Sequence, residues 1–174
     1  MAKLKIVKVG DDVLRKRCRP VDEITPKVLR LLDDMAETMR AAQGVGLAAP
    51  QVGILRRIVV IEAEEGNLIE LINPKIVAYA GEQEGSEGCL SVPNKWGTVK
   101  RPMHVTVRAL NRHGEEFEIT AETYNFVDMN PRHWAYEVCL KATSAYDREG
   151  YVDLETRQDN IRNKLDQHDA QKLH

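Results

Sequence analysis

The amino-acid sequence predicts an α+β fold in which mostly antiparallel strands pack around one long helix. Apolar residues recur with helical spacing after Thr25, and several short β-branched segments follow between positions 57 and 120. The segment 111–114, Asn-Arg-His-Gly, separates two of these runs and is typical of a hairpin turn. Together these patterns indicate one α+β domain over residues 1–127 and a tail of different character over residues 128–174.

The helix is predicted to begin at Pro26, because proline is tolerated at the first helical position and Thr25 can serve as the N-cap. Gly44 is expected to end it. The apolar positions then recur at spacings of four, three and four, which places them on one face: Val28, Leu32, Met35 and Met39.

Short segments rich in β-branched residues predict the strands. The expected strands cover residues 57–61, 68–72, 76–79, 104–110 and 117–120. Asn73-Pro74 is expected to stop the second of them. His104 is interpreted as a strand-edge residue and His113 as a turn residue, and neither is expected to bind a ligand.

Composition excludes several function classes. The chain has 174 residues, 43% apolar and 30% charged, with a formal net charge of −2, so nucleic-acid recognition is not expected. No apolar run approaches the roughly 20 residues of a membrane span, and the N-terminus lacks the apolar core of a signal peptide. We therefore expect a cytoplasmic protein with no membrane partner.

Three cysteines in such a chain argue against a disulfide framework. Cys18 and Cys139 are expected to be small buried residues. A thiolate at Cys89 could be a metal ligand or a nucleophile, and each role needs partners such as histidine. Sequence spacing alone does not choose between these two roles.

Two motifs stand out, Gly-Val-Gly-Leu-Ala-Ala-Pro-Gln at 44–51 and Glu-Gly-Cys-Leu-Ser at 87–91. The glycines of the first permit positive φ and close approach of the backbone to a ligand, and Gln51 offers an amide donor and a carbonyl. Both motifs are interpreted as loops, separated by about 35 residues.

Together, these motifs closely resemble the first and second signatures of the bacterial peptide deformylases. The resemblance extends over roughly residues 3–127, through Leu14-Arg15, the predicted helix, Leu-Ile-Asn-Pro at 71–74 and the hairpin 105–120. It implies hydrolytic removal of the formyl group from the N-terminal formylmethionine of nascent polypeptides. It also implies one divalent metal per chain, Fe²⁺ or alternatively Zn²⁺, Ni²⁺ or Co²⁺.

The resemblance also implies roles for individual residues. Cys89 corresponds to a metal ligand, and Gln51 and the backbone N–H of Leu90 correspond to the oxyanion donors. Val45 and Gly46 correspond to the edge that bonds the substrate backbone. Glu87 and Arg101 correspond to a pair that braces the cysteine segment. The implied partners are formylmethionyl peptides of nascent chains, with the ribosome as a further one.

The chain departs from the family pattern after Val127. The family carries its two histidine ligands and its proton-shuttling glutamate in a His-Glu-x-x-His helix, and no such motif occurs in this sequence. The expected position instead reads Asn-Pro-Arg-His-Trp-Ala-Tyr-Glu at 130–137. Resemblance stops abruptly there, which indicates a replaced C-terminus.

Three interpretations of this departure compete. A frameshift, recombination or sequence error has removed the catalytic helix. Alternatively, the chain is an inactive homologue that serves as a peptide- or partner-binding module. In the third, the metal site is rebuilt. His133 and Glu137 stand four residues apart and would share one face of a helix, and together with Cys89 they would form a Cys-His-Glu site. The replaced segment is also expected to make the chain less stable than its relatives, because a well-packed helix is lost.

Overall fold

The computed structural model describes residues 2–122 of the chain. Helix α1 spans Pro26–Ala41, and short 3₁₀ helices span Asp12–Arg15 and Ala49–Val52. The strands are β1 (Gly46–Ala48), β2 (Ile58–Ile61), β3 (Ile69–Ala80), β4 (Gln83–Cys89), β5 (Val92–Arg101), β6 (His104–Leu110) and β7 (Glu116–Glu122). None of the helices in this part of the chain is long and apolar enough to span a bilayer.

The strands form two separate sheets. Five strands pair in the order β1-β2-β3-β6-β7, and β4 and β5 form a two-stranded sheet of their own. Every pairing between these strands is antiparallel. Because one helix packs against a mostly antiparallel sheet, the predicted α+β class is confirmed.

Helix α1 buries the apolar face that its spacing predicts. Leu32, Met35 and Met39 are fully buried in a core shared with β1, β2 and β3. The helix ends at Ala41, three residues before the predicted Gly44, and Gln43 adopts the left-handed conformation with φ of 54°. Positive φ is therefore not what Gly44 supplies.

Strand β3 corrects the prediction of two strands interrupted by Asn73-Pro74. It continues through both residues, with shifts in its register against β6 between Ile72 and Lys75 and again after Ile76. Asn73 takes φ of 53° and its side-chain amide bonds both the N–H and the carbonyl of Val21 at 2.8 Å. A bulge with a satisfied side chain thus accommodates a proline inside a strand.

The hairpin of β6 and β7 matches its prediction. Strand β6 covers the predicted range 104–110, and β7 includes the predicted range 117–120. His113 lies in the connecting turn and His104 begins a strand, as expected.

Candidate functional site

The first motif forms an edge strand followed by a turn of 3₁₀ helix. Strand β1 pairs with β2, and the segment Ala49–Val52 then folds back so that Gln51 is 5% exposed. The Gln51 side-chain oxygen accepts a hydrogen bond of 3.0 Å from the backbone N–H of Ala48. This bond fixes the amide plane, because the NH₂ group must then point away from β1.

The second motif corrects the prediction of a loop. Strand β4 ends at Cys89, β5 begins at Val92, and these two residues are register partners. Leu90 and Ser91 therefore form the tip of a hairpin. Cys89 lies at the end of a strand, which fixes the position of its backbone.

The structure brings the two motifs together at Gln51. Its side-chain nitrogen donates to the Ser91 hydroxyl at 3.2 Å and lies 3.8 Å from the Cys89 sulfur. At Gly44, a Cβ atom would lie 2.6 Å from the Leu90 Cδ1 atom. The missing side chain at Gly44 is therefore what lets the Leu90 side chain approach the first motif.

Among the strands of residues 2–122, the outer edge of β1 has no partner, and this edge lies at the site. The backbone N–H of Glu62, next to β2, donates to the Val45 carbonyl at 2.8 Å. Because the backbone groups of an antiparallel strand alternate in direction, the N–H and carbonyl of Gly46 point to the opposite, outer edge. Gly46 is buried and Val45 is half-buried.

Glu87 and Arg101 lie apart along the same hairpin. Glu87 is the register partner of Gly97, whereas Arg101 is the partner of Gln83, four positions further along the ladder. At about 3.4 Å per residue, that separation is roughly 13 Å between backbones. The brace predicted between these two residues stays a prediction.

A cavity of about 180 Å³ is lined in part by Gln51 and Cys89. Leu14, Cys18 and Val92 contribute to its walls. Cys18 is 2% exposed, as predicted, and burial raises the pKa of its thiol although Arg57 acts in the opposite direction. Cys18 is therefore a neutral thiol in the wall of this cavity.

The described residues supply Cys89 but no complete set of metal ligands. Within residues 2–122, no three His, Cys, Asp or Glu side chains converge in a way that could hold a metal ion. His104 and His113 lie on the β6–β7 hairpin and do not join Cys89 in such a group. The predicted ligand His133 and its neighbour Glu137 lie outside the described residues.

Ser91 is a site residue to which sequence reasoning assigned no role. It is 4% exposed, and its hydroxyl accepts the hydrogen bond that aims the Gln51 amide toward the hairpin tip. Its position inside the second motif is the sequence feature that could have identified it as a site residue. Lys8 and Val9 also bond this tip and gave no signal, because one side-chain bond from an exposed lysine and one backbone bond form no recognisable sequence pattern.

Comparison with known proteins gives the family. A sequence model described as polypeptide deformylase matches residues 3–127. The peptide deformylase of Carboxydothermus hydrogenoformans is 52% identical over 122 residues, covering 70% of this chain and 80% of that protein. That of Caldanaerobacter subterraneus is 58% identical over 122 residues, covering 70% and 76%.

Solved structures of the family have the same fold. A peptide deformylase from Legionella pneumophila aligns with a TM-score of 0.74 at 35% identity, covering 99% of both chains. The enzyme from Ehrlichia chaffeensis, solved in complex with actinonin, aligns with a TM-score of 0.74 at 31% identity, covering 96% of this chain and 98% of that one. With its two motifs assembled around Gln51 and Cys89, this chain belongs to the peptide deformylase family.

Proposed function

We propose that this chain recognises the formylated N-terminus of nascent polypeptides, the substrate of the deformylation reaction that its family implies. The observation that carries the proposal is the Gln51 amide, held on β1 through Ala48 and aimed at the Cys89-Leu90-Ser91 tip. A formyl oxygen placed between this amide and the Leu90 N–H would meet two donors.

The outer edge of β1 supports the same substrate class. Gly46 presents its N–H and carbonyl there, so an extended peptide can add as a further strand. Such main-chain bonding accepts many sequences after the first residue, which suits a ligand drawn from all nascent chains. Selectivity would then come from the formyl group at Gln51.

Hydrolysis needs more than these donors. The family implies a divalent metal that lowers the pKa of a bound water, and such catalytic sites are built from three protein ligands. Residues 2–122 do not fit that requirement, because Cys89 has no two further ligands among them. We therefore expect residues 2–122 to bind formylmethionyl peptides without providing the hydrolytic step.

Deformylation itself is the second candidate function, favoured by the four-residue spacing of His133 and Glu137 in the sequence. It requires both side chains to join Cys89 around Fe²⁺ or another divalent metal. Even then, Glu137 would serve as a ligand and could not also act as the general base. The cytoplasm and the ribosome surface, where nascent chains emerge, are the corresponding location and partner in this proposal.

Binding is tested by calorimetric titration of the full chain with N-formyl-Met-Ala-Ala and with unformylated Met-Ala-Ala. We expect measurable affinity for the formylated peptide and at least about tenfold weaker binding of the other, the factor that one hydrogen bond contributes. Gln51→Glu keeps the acceptor for Ala48 and removes the donor, so it should abolish this preference while the fold is retained. Gln43→Glu, the same change at an exposed position, is the control.

Hydrolysis is tested on anaerobically purified protein by metal analysis and by release of formate from the same peptide. We expect a metal content well below one equivalent and no formate. One equivalent of metal that Cys89→Ala removes, together with formate release, would establish deformylation. Equal affinity for the two peptides would overturn the proposed substrate.

A further inference from the structure

We propose that Lys8 is a positioning residue that, together with the Val9 backbone, holds the Leu90-Ser91 tip against Gln51. The inference deepens the proposed function and rests on it, because this tip carries the Leu90 N–H and directly follows Cys89. Lys8 lies outside both motifs and is exposed. It would act on the site through the Leu90 carbonyl and not on the substrate itself.

The tip needs such support because its hairpin is separate from the main sheet. Within residues 2–122, β4 and β5 pair with each other and with no strand of the five-stranded sheet. Their connections to β3 and β6 lie at the opposite end of the hairpin, at residues 81–82 and 102–103. The position of the tip beside Gln51 therefore depends on contacts that the tip itself makes.

Both carbonyls of the tip are bonded by consecutive residues of the N-terminal segment. The Lys8 ammonium donates to the Leu90 carbonyl at 2.7 Å. The Val9 backbone N–H donates to the Ser91 carbonyl at 2.8 Å, while the Val9 side chain is 65% exposed. The attachment is thus made by hydrogen bonds and owes little to apolar packing of Val9.

The N-terminal segment is itself anchored to the body of the domain. Its residues Ala2 and Leu4 donate backbone N–H bonds to Asp34 at 2.6 Å and to Thr38 at 2.8 Å, both on α1. The Val7 N–H donates to the Gln51 carbonyl at 2.8 Å. One short extended segment therefore connects Gln51, which carries the side-chain amide donor, to the hairpin tip, which carries the Leu90 N–H.

This arrangement makes a specific prediction for Lys8. Without the ammonium, the Leu90 carbonyl loses a charge-assisted bond, and the tip should depart more often from its position beside Gln51. Because Lys8 is exposed, water offsets part of the loss, so the effect on global stability should be small. The effect on the tip and on its ligand should be larger.

The experiment compares Lys8→Met, Lys8→Arg and Lys5→Met in the full chain. Lys8→Met removes the donor and keeps the aliphatic length, whereas Lys8→Arg keeps a donor. Lys5 is an exposed lysine three residues earlier that makes no hydrogen bond to either motif. For each variant, amide hydrogen exchange of residues 88–92, affinity for N-formyl-Met-Ala-Ala and the thermal midpoint are measured.

We expect Lys8→Met to speed exchange at the tip and to weaken peptide binding, each by about threefold to tenfold, with the thermal midpoint unchanged. Lys8→Arg should restore both values, and Lys5→Met should leave both unaltered. Wild-type exchange and affinity in Lys8→Met would overturn the proposal, and so would equal effects of Lys5→Met. If the wild-type chain binds no formyl peptide but Lys8→Met still speeds exchange at the tip, the proposed substrate is rejected and the role of Lys8 stands.

Discussion

At the scale of single residues, the site depends on the side-chain amide of Gln51 and on the lack of a side chain at Gly44. Gln51 uses both ends of its amide, one on Ala48 and the other toward Ser91 and Cys89. Gly44 contributes through its missing side chain, which leaves room for Leu90. Motif glycines at a site of close approach can thus matter for space and not for φ.

Gly44→Ala should therefore disturb the site. The added Cβ would lie 2.6 Å from Leu90 Cδ1, so the Leu90 side chain must move. Because Cδ1 is the far end of a flexible, half-buried side chain, the cost should be about 1 kcal/mol or less in the free energy of unfolding. We expect weaker binding of N-formyl-Met-Ala-Ala as well, because the moved side chain belongs to the hairpin tip. Urea denaturation and calorimetric titration measure the two effects.

Gly97→Ala is the matched control, because it lies on β5 of the same hairpin and a Cβ there would meet no atom within 4 Å. It should leave both quantities near their wild-type values. If Gly44→Ala behaved like this control, the contact between Gly44 and Leu90 would not constrain the site.

At the scale of elements, sequence predicts what depends on local spacing. The face of α1 and the β6–β7 hairpin follow from periodicity and turn residues, and both are observed. The continuity of β3 through Asn73-Pro74 could not be predicted, because it depends on hydrogen bonds between Asn73 and Val21, which is 52 residues away. The hairpin of the second motif was not predicted either, because neither β4 nor its partner β5 shows a strong alternation of apolar and polar residues.

The same distinction applies to the site. Gln51, Cys89 and Leu90 could be singled out from the two motifs and their family resemblance, but their distances could not. Those distances are set by Ser91 and by the N-terminal segment, which meet the motifs only after folding. Sequence therefore identified the groups, whereas the tertiary structure determines their arrangement.

Arg112 connects three elements and should be a strong single contributor to their packing. From the β6–β7 turn, its guanidinium bonds Glu70 on β3 twice at 2.8 Å and Asp33 on α1 at 2.6 Å. Hydrogen bonding to Glu70, then to Asp33, raises the pKa of Arg112 above its ordinary value. Arg112→Met should cost about 1–2 kcal/mol in the free energy of unfolding, allowing for solvent at this half-exposed side chain.

Arg108→Met provides the comparison for Arg112→Met in urea denaturation. Arg108 bonds Glu118 at 2.7 Å across the same hairpin, but both side chains are about half exposed, so its removal should change stability much less. Equal losses in the two variants would mean that the links from Arg112 to β3 and α1 add nothing beyond a surface ion pair.

The contact between α1 and the end of β2 should make stability depend on pH. The Arg40 guanidinium bonds the half-buried carboxylate of Glu62 at 2.5 and 3.0 Å, and this hydrogen bonding lowers the pKa of Glu62 below its ordinary 4.5. A lowered pKa in the folded state stabilises the protein above the unfolded value and loses that effect as the pH falls through the folded value.

Arg40→Met should therefore be less stable than wild type at neutral pH, with a difference that shrinks as the pH falls through the lowered folded-state pKa of Glu62. Urea denaturation at neutral pH and at a series of acidic pH values measures the difference in the free energy of unfolding between wild type and Arg40→Met. Arg30→Met serves as control, because Arg30 is exposed on the same helix without an acidic partner among residues 2–122. A difference between wild type and Arg40→Met that stayed constant with pH would contradict the assigned cause.

At the scale of the whole molecule, residues 2–122 bring the two motifs together but contain no three side chains that could hold a metal ion. The described residues hold the Gln51 amide, the Cys89 thiol and, among themselves, an unpaired outer edge of β1. The metal-ligand helix that the family implies has no counterpart motif in the sequence. In the proposed function, binding and hydrolysis are therefore separable, because the family resemblance assigns them to different segments of the sequence.

The same division predicts a lower stability than that of relatives with the complete motif. In the family, the motif helix packs through the middle of the fold, and each lost buried side chain forfeits roughly 1.5–3 kcal/mol. Against a total of about 5–15 kcal/mol, a few such losses lower the denaturation midpoint substantially.

Urea denaturation of the full chain beside the Legionella pneumophila deformylase, which aligns over 99% of both chains, measures this deficit. Both proteins should be stripped of metal first, because a ligand that binds only the folded state raises its apparent stability. We expect a lower midpoint for this chain and a smaller dependence of the unfolding free energy on urea, since less apolar surface is buried. Equal midpoints and equal slopes would mean that residues 123–174 bury as much surface as the missing helix would, and that the loss of the motif removed ligands without removing core.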